Sequence, residues 1–369
     1  MVSSDSSLPS NPQIVPGKIG YGIVWTDDRE ADSELYFALM NNGGERIGSE
    51  LKLTDNGVHD LTPAIVWNGE EYGIFWSHDK SQIYFMRVSA QGKKLTGEIP
   101  VVTTTAGYAI HVSAVWSGEE YGVTWWDARN SPGCDPSGTR GRAFFVQVSS
   151  VGEKIGDEIP ASDVFSNTWQ DYKPLIVWDG QNYGIFWNDS RESGTCYGND
   201  QNIYYSKINE DGEKVLGDIK LQKADTGYSQ LESVAWDGEN HAVTYRGSVT
   251  RGYLAQMSST GDTLYSDIPV NTEGFGGGTQ ISLIEGNYFI AWSDGRDRTD
   301  DTFYNTEIYY TKFDKTGNKL LPETRLTYQE DPSNENSPVV TLNGKVGLTW
   351  KETPIGGPQV KFAIDNQVP

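Results

Sequence analysis

Short apolar runs separated by turns of glycine, asparagine and aspartate recur along the whole chain. The segment PAIVWNGEEYGIFW (63–76) returns as SAVWSGEEYGVTW (113–125) and as PLIVWDGQNYGIFW (174–187). Weaker copies are QIVPGKIGYGIVW (13–25), SVAWDGENHAVTY (233–245), ISLIEGNYFIAW (281–292) and VVTLNGKVGLTW (339–350). Apolar runs bounded by turn residues predict β-strands, and a fixed spacing between copies predicts a repeat architecture. The pattern therefore predicts seven β-rich units and no convincing helix.

Each unit divides into four predicted strands, which we label A to D in chain order. In unit 2, strand A ends at Trp67, an Asn68–Gly69 turn follows, and strand B closes at Trp76. Strand C is QIYFMRVS (82–89), and strand D is EIPVVT (98–103). A four-stranded sheet cannot bury both of its faces alone, but sheets stacked around an axis cover one another. We therefore expect an all-β fold, a seven-bladed β-propeller of four-stranded antiparallel blades.

One repeat position in strand B is occupied by glycine in five units: Gly22, Gly73, Gly122, Gly184 and Gly347. A glycine inside a strand usually marks the close approach of another group. We expect large rings of the adjacent unit to pack over these glycines. The tryptophans at repeat positions are accordingly interpreted as core between blades, not as ligand-binding groups.

The chain is predicted to be a single domain, 1–369. The units are placed approximately at 12–62, 63–112, 113–173, 174–232, 233–280, 281–338 and 339–369. The last unit stops after QVKFAIDN (359–366), before a strand D. Residues Ser6 to Asn11 supply that strand in one interpretation, and in the other the chain ends in a three-stranded unit.

The B–C loops and the D–A connections lie at one end of an antiparallel blade and are long and irregular here. Binding sites on rigid scaffolds concentrate in such loops, so this end is the predicted binding face. The motif Trp-x-Asp-x-Arg recurs at the exit of strand B. It supplies Asp127, Arg129, Asp189, Arg191, Asp294 and Arg296 as candidate ligand-binding residues. The alternative is structural, with each aspartate and arginine bracing its loop.

Aromatic residues of the same loops form a second candidate set. They are Tyr108, Trp126, Trp169, Tyr172, Tyr228 and Phe275. Such a ring is suited to stack on sugars or to hold an extended peptide, or else each aromatic plugs a gap between blades. Trp126 and Trp169 fall outside the repeated core positions, so we expect these two to be exposed.

The net charge of −22 argues against nucleic acid and anionic membranes as partners. No apolar run is long enough to span a membrane, and the start MVSSDSSLPSNP lacks the features of a signal peptide. We interpret it as the start of a trimmed mature chain, secreted, periplasmic or at the cell surface. Cys134 and Cys196 lie in loops of adjacent units, where a disulfide is expected in an oxidising compartment. The alternative is two reduced thiols.

No cofactor is expected. The segment DGRDRTDDTFYN (294–305) gathers Asp294, Asp297, Asp300 and Asp301, which could bind Ca²⁺, but its spacing matches no EF-hand and a solvated acidic loop is favoured. The four histidines, His59, His78, His111 and His241, show no metal-ligand spacing. No nucleophile elbow, P-loop, dinucleotide fingerprint or HExxH motif occurs.

The full repeat, W-[ND]-G-x-x-Y-G-[IV]-x-W-x-D-x-R, resembles the propeller repeats of secreted or lipid-anchored bacterial proteins, which are distantly sialidase-like in architecture. The sialidase Asp-box, S-x-D-x-G-x-x-W, does not occur here. We expect an extracellular module that binds a glycan or a protein, as a monomer or as part of a larger surface protein. The alternatives are a glycan-active hydrolase or lyase on the same face, and a passive structural domain.

Overall fold

The computed structural model describes the following residues: 2–3, 9–103, 107–129, 140–166, 173–192, 201–223, 228–247, 251–273, 276–296, 306–328, 333–336, 340–342, 345–352 and 359–365. These residues form β-strands joined by turns and loops, with no α-helix among them. Within the described ranges no helix is long and apolar enough to cross a membrane. The prediction of an all-β chain is therefore confirmed.

The first three sheets each contain four consecutive antiparallel strands. Unit 1 holds β1 (Pro9–Pro16), β2 (Tyr21–Asp27), β3 (Glu34–Met40) and β4 (Arg46–Lys52). Unit 2 holds β5 (Asp60–Trp67), β6 (Glu71–His78), β7 (Gln82–Ser89) and β8 (Ile99–Thr103). Unit 3 holds β9 (Ala109–Trp116), β10 (Glu120–Asp127), β11 (Arg142–Ser149) and β12 (Lys154–Pro160).

Units 4 to 6 repeat this order. Unit 4 holds β13 (Leu175–Trp178), β14 (Asn182–Asp189), β15 (Asn202–Asn209) and β16 (Lys214–Lys220). Unit 5 holds β17 (Ser229–Trp236), β18 (Asn240–Gly247), β19 (Gly252–Ser258) and β20 (Thr263–Pro269). Unit 6 holds β21 (Gly276–Ile284), β22 (Asn287–Asp294), β23 (Glu307–Phe313) and β24 (Lys319–Arg325). The chain is thus an all-β propeller with four-stranded antiparallel blades.

The seventh sheet departs from this plan. It contains β25 (Ser333–Asn336), β26 (Val340–Leu342), β27 (Lys345–Glu352) and β28 (Gln359–Asp365). Both β25 and β26 pair with β27, so they form one interrupted strand A, and β28 is strand C on the other side of β27. Regular blades of four consecutive strands therefore number six, not the seven of the sequence prediction.

The N-terminus reaches the seventh sheet through a different segment from the one predicted. The amide of Val2 donates to the carbonyl of Val360 at 3.1 Å, and the amide of Val360 donates to the Ser3 hydroxyl at 3.0 Å. Residues Pro9 to Asn11 instead begin β1, where they pair with β2. The proposal that Ser6 to Asn11 form the missing strand is therefore wrong for its described part.

Neighbouring sheets meet through a ring-on-glycine contact, as the sequence predicted. A Cβ atom at Gly22 would lie 2.6 Å from Tyr72 of the next unit, and one at Gly73 would lie 2.6 Å from Tyr121. Gly122 faces Tyr183 in the same way, and Gly347 of unit 7 faces Tyr21 of unit 1. Because the glycines have no side chain, a buried tyrosine of each following unit fills the space between two sheets.

Three junctions use other residue pairs for the same space. Gly184 of unit 4 faces His241 of unit 5. Tyr288 of unit 6 packs with Ala242 of unit 5, which stands at the glycine position. Between units 6 and 7 the sizes are reversed, since Phe289 occupies the glycine position and Val346 the tyrosine position. A small residue facing a large one conserves the total volume, and volume-conserving exchanges are the ones that close-packed cores tolerate best.

The innermost strand A carries a β-bulge near its start in units 1, 2, 3, 5 and 6. In three of these units the bulged residue is not glycine although its φ is positive: Asn11 (50°), Thr62 (49°) and His111 (59°). Bulges re-aim side chains and concentrate beside functional sites. Here they turn side chains of strand A towards the axis, near the end that carries the B–C and D–A connections.

Candidate functional site

The innermost strands enclose a cavity of about 420 Å³ on the propeller axis. Its lining comes from units 1, 3, 4, 5 and 6: Asn11, Gln13, Ser113, Lys173, Leu175, Ile176, Glu232, Ser233, Val234, Gln280 and Ile281. The lining combines side-chain amides and hydroxyls, one lysine, one glutamate and several aliphatic side chains. A concave site with a few convergent polar groups is the usual form of a ligand site. We call this space the axial cavity.

Lys173 is the cation of the axial cavity. It precedes β13 and is partly buried, and the described part of the chain offers its ammonium no hydrogen-bond or ion-pair partner. Burial lowers the pKa of Lys173 from 10.5 to about 8, because an ammonium loses hydration there. The Lys173 ammonium is therefore positively charged at neutral pH and is available to bind a ligand.

Glu232 is the carboxylate of the axial cavity, and its position is fixed by unit 6. It occupies the bulge of β17 and accepts hydrogen bonds from the amides of Gly278 (2.9 Å) and Thr279 (2.7 Å) and from the Thr279 hydroxyl. Burial, the largest cause, raises the pKa of Glu232 above its usual value, although these three donors oppose the shift. Glu232 thus joins two blades and faces the ligand space as a rigid acceptor.

Unit 5 adds a polar group beside Glu232. Arg246, at the end of β18, donates to the amide oxygen of Gln230, and the hydroxyl of Tyr228 donates to the same oxygen at 2.8 Å. Arg246 also acts electrostatically on Glu232. Unit 5 lacks the Asp-x-Arg motif, and Arg246 bonds Gln230 instead of an aspartate of that motif. Tyr228, a predicted ligand-binding residue, therefore lies close to the axial cavity.

The Asp-x-Arg motif forms a closed cluster in each of the four units that carry it. In unit 3, Trp125 Nε1 donates to Asp127 at 2.8 Å, and the Arg129 amide and guanidinium both bond the same carboxylate. Asp127 is fully buried, and the guanidinium of Arg129 also lies over the ring of Phe144. Equivalent clusters contain Asp27 with Arg29, Asp189 with Arg191, and Asp294 with Arg296.

An acidic residue of strand D completes every one of these clusters. Arg29 pairs with Glu50, Arg129 with Glu158, Arg191 with Asp218, and Arg296 with Glu323. These acids were not predicted from the sequence, although each directly precedes the residue that pairs with the central aromatic of strand C. The available signal was an acid before isoleucine in EIP (158–160) and DIK (218–220), whereas Glu50 precedes Leu51 and Glu323 precedes Thr324. Each arginine is therefore held between two carboxylates and ties strand B to strand D.

Two units build the cluster from other residues. In unit 5, the hydroxyl of Tyr245 bonds Asp267 of strand D at 3.0 Å. In unit 2 the buried carboxylate comes from strand A, because Trp76 Nε1 donates to Asp60 at 2.8 Å. His78 lies against the same oxygen of Asp60 at 2.7 Å, where other units have an arginine. Repetition without strict identity indicates that the cluster serves the scaffold.

The predicted ligand-binding residues thus separate into groups. Asp127, Asp189 and Asp294 are buried, and with Arg129, Arg191 and Arg296 they engage one another instead of converging on the axis. Trp126 was expected to be exposed, and this is wrong: it is 4 % exposed, because its ring covers Gly141. Tyr108 is 39 % exposed, and its carbonyl accepts from the Ala128 amide at 3.0 Å.

Several predicted residues lie outside the described ranges. These are Trp169, Tyr172, Phe275, Cys134, Cys196, Asp297, Asp300 and Asp301. The disulfide and the calcium loop therefore stay predictions. The described member of that loop, Asp294, accepts hydrogen bonds from Trp292 Nε1 and from the Arg296 guanidinium.

A second cavity, of about 590 Å³, lies at the opposite end of units 3 and 4, beside the A–B and C–D turns. It is lined by Ser117, Glu119, Glu120, Trp178, Gly180, Glu210 and Asp211. Glu120 accepts from Gln147, which also donates to the Glu210 carbonyl at 2.6 Å. This space is strongly acidic, whereas the axial cavity offers both charges and more varied hydrogen-bonding groups.

Comparison with known proteins adds structural likeness only. No protein-family model matches the sequence, and no curated protein matches it. Among solved structures, Trypanosoma rangeli sialidase in complex with sialic acid aligns over 98 % of this chain and 54 % of its own, with TM-score 0.52 and 10 % identity. Pyrococcus horikoshii acylaminoacyl peptidase aligns over 98 % and 51 %, with TM-score 0.56 and 11 % identity.

Kuenenia stuttgartiensis hydrazine synthase is a third similar structure, aligned over 81 % of this chain and 79 % of its own, with TM-score 0.52 and 12 % identity. The chain spans about half the length of the sialidase and the peptidase. At this level of identity the likeness shows the fold, because propellers host binding, scaffolding and hydrolysis alike. Fold and likeness together define the class: an all-β propeller with four-stranded antiparallel blades.

Proposed function

We propose that this chain is an extracellular or cell-surface binding module that recognises a glycan or a protein at the end of the propeller carrying the B–C and D–A connections. The ligand reaches the axial cavity between Lys173 and Glu232. The observation that carries the proposal is the unpartnered ammonium of Lys173 in a cavity whose other polar groups are fixed by the scaffold.

The lining of the axial cavity suits a polar ligand with many hydroxyls or amides. Gln13 and Gln280 can each donate and accept, and Ser113 and Ser233 add hydroxyls. Leu175 and Ile281 supply apolar surface on which a sugar ring or an aliphatic side chain can rest. Such a mixture favours recognition by several hydrogen bonds in addition to the charge of Lys173.

Hydrolysis is the alternative, and the carboxylates argue against it. A glycosidase of the two-carboxylate type needs two acids roughly 5–10 Å apart. Glu232 is the one carboxylate among the described residues that line the axial cavity. The acids of the Asp-x-Arg clusters are buried against arginine and tryptophan, so they cannot meet a substrate.

Binding is tested with glycan and peptide arrays probed by the wild-type chain, by Lys173→Met and by Lys18→Met. Lys18 is exposed in the A–B turn of unit 1, at the far end of the propeller, and serves as the matched control. We expect Lys173→Met to lose at least about tenfold in affinity for the strongest ligand, and Lys18→Met to lose none. Equal binding by all three proteins would place the ligand site away from the axis.

Turnover of the array ligands separates the two functions. The binding proposal predicts that bound ligands are recovered intact after prolonged incubation. Cleavage that disappears in Glu232→Gln would establish the hydrolase instead, and absence of any ligand on either array would favour the passive structural domain.

We further infer that the seventh sheet closes the ring as a seventh blade. Support comes from both of its neighbours: β25 and β26 contact unit 6, and β27 contacts β1. Tyr21 over Gly347 repeats the contact of the other junctions. Secretion is part of the same proposal and is supported by the acidic composition and by the resemblance of the repeat to secreted propellers.

A further inference from the structure

Unit 2 keeps the two carboxylates of the repeated cluster but has no arginine between them. Its buried carboxylate is Asp60, and its strand D acid is Glu98. Glu98 directly precedes Ile99, the partner of Phe85, just as Glu50 precedes Leu51, the partner of Phe37. The two acids that a guanidinium bridges elsewhere therefore face each other here without it.

The His78 ring lies where the arginine guanidinium lies in other units, although the strand register aligns His78 with Asp27 and not with Arg29. The His78 ring packs on Tyr84 with the ring centroids 4.2 Å apart, as the Arg29 guanidinium packs on Tyr36 at 4.1 Å. Its Nδ1 lies 2.7 Å from Asp60 Oδ1. The ligand atoms of Asp60, His78 and Glu98 all lie within 4.8 Å of one another.

The charge around this group is unbalanced. Asn56 donates one amide nitrogen to both Asp60 (2.8 Å) and Glu98 (2.9 Å), so a neutral group bridges the two carboxylates. Glu34 is a third acid nearby: burial, and to a smaller degree the charge of Asp60, raises its pKa. In the Arg-containing clusters a full positive charge sits at this place.

We propose that Asp60, His78 and Glu98 form a binding site for a divalent transition-metal ion, of which Zn²⁺ is the representative. One imidazole nitrogen with two carboxylates is a ligand set for zinc and its first-row neighbours, whereas calcium prefers oxygen ligands alone. The ion takes the place of the guanidinium and binds strands A, B and D of unit 2. Asp60 is fully buried, but His78 and Glu98 reach solvent and leave a path of entry.

The site would fix a strained loop that joins strands B and C of unit 2. Asp79 and Lys80, directly after His78, both have positive φ, at 48° and 57°. The amide of Asp79 donates to the His59 carbonyl at 2.9 Å, and the Lys80 carbonyl accepts from Ala109 of unit 3 at 2.8 Å. Metal bound at His78 therefore stabilises the contact between units 2 and 3 and does not depend on the ligand proposed for the axis.

The test is calorimetric titration of chelator-treated protein with Zn²⁺, in buffer containing excess Ca²⁺, together with thermal unfolding with and without Zn²⁺. We expect one Zn²⁺ per chain and a higher unfolding temperature on binding. His78→Arg places a guanidinium beside the two carboxylates, so it should fold, resist heat at least as well as the metal-free wild type, and show no heat of zinc binding. Glu98→Gln should weaken binding at least about tenfold.

Asp55→Asn is the matched control, because Asp55 lies in the connection that leads to Asp60, is 81 % exposed and pairs with Lys52. Its titration should match the wild type. Undiminished zinc binding by His78→Arg would overturn the proposal and point to another site, such as the cysteine-containing loops. Absence of zinc binding by the wild type would overturn it as well.

Discussion

A buried aspartate holds three different groups in each repeated cluster. Asp27 accepts from Trp25 Nε1 at 3.0 Å and from the Arg29 amide at 3.0 Å, and it pairs with the Arg29 guanidinium. Removing one partner of a buried ion pair costs about 3–5 kcal/mol, because the other charge stays buried and unpaired. Without Asp27, Trp25 Nε1 and the Arg29 amide lose their acceptor, and the Arg29 guanidinium keeps only Glu50.

We therefore expect Asp27→Ala to lower the free energy of unfolding by about 3 kcal/mol or more. Asp28→Ala alters the next residue, which is exposed. It should change the free energy of unfolding by less than about 0.5 kcal/mol. Urea denaturation followed by tryptophan fluorescence measures both. Similar losses for the two variants would mean that the cluster does not stabilise the blade.

Lys173 makes stability depend on pH in a definite direction. Its pKa is about 8 in the folded protein and 10.5 when unperturbed, so between these values the unfolded chain binds more protons than the folded one. The unfolding free energy contributed by Lys173 must therefore rise as the pH rises through this window. Below pH 8 the burial penalty of the ammonium is present in full.

Lys173→Met should accordingly be more stable than the wild type at pH 7, by on the order of 1–3 kcal/mol. The difference should shrink as the pH approaches 10. Denaturation curves of both proteins at intervals between pH 6.5 and 10 check this. A difference independent of pH would show that the lysine is well hydrated in the folded state.

At the scale of strands, a missing side chain sets the distance between two sheets. The Cβ added by Gly73→Ala would lie 2.6 Å from the Tyr121 hydroxyl, which is closer than two such atoms can approach. Overpacking of this kind typically costs about 1–3 kcal/mol. We expect that loss in thermal or urea unfolding of Gly73→Ala.

Gly97→Ala is the matched control for this change, because nothing lies within 4 Å of the added atom. It should leave the unfolding free energy nearly unchanged. If the two variants were equally stable, the rings between sheets would have room to move and the junctions would not be close-packed.

The strands, the turns and the glycine contacts could be predicted because each depends on local pattern. Tyr72, Gly73 and Trp76 recur at fixed spacing, so their roles follow from the repeat alone. The strand D acids were missed because each lies more than twenty residues after its arginine partner. The separation also differs between units, so spacing alone does not single out the pairs. His78 showed no ligand spacing in the sequence for the same reason, since Asp60 and Glu98 reach it only through sheet pairing.

The axial cavity is a further feature that sequence could not supply. Lys173 and Glu232 belong to different units and meet the cavity only because strand A is innermost in each. Burial, which shifts the pKa of both groups, depends on how all the sheets close around the axis. The exposure of Trp126 was mispredicted for a related reason, because Gly141 across the sheet leaves room for its ring.

At the scale of the whole molecule, Val2 and Ser3 hydrogen-bond to Val360 of β28, the last described strand. Val2 is fully buried and packs with Ile14, Trp25 and Val360, so it joins the N-terminus to unit 1 and to the last strand. A contact that joins the first and last sheets opposes their separation, because separation would expose the apolar faces of both sheets to water.

We expect Val2→Ala to lower the free energy of unfolding by about 1–3 kcal/mol. Val151→Ala removes the same atoms from a residue that is 47 % exposed and should be close to neutral. Thermal unfolding compares the two directly. Equal effects would mean that the N-terminal segment does not close the ring.

The central claim is that a ligand is recognised on the axis, between Lys173 and Glu232. A crystal structure of the protein soaked with the strongest array ligand tests this most directly. We expect ligand density in the axial cavity, with a polar ligand atom within hydrogen-bond distance of Lys173 Nζ. Density at the acidic cavity of units 3 and 4, or on the outer strands with an empty axis, would contradict it.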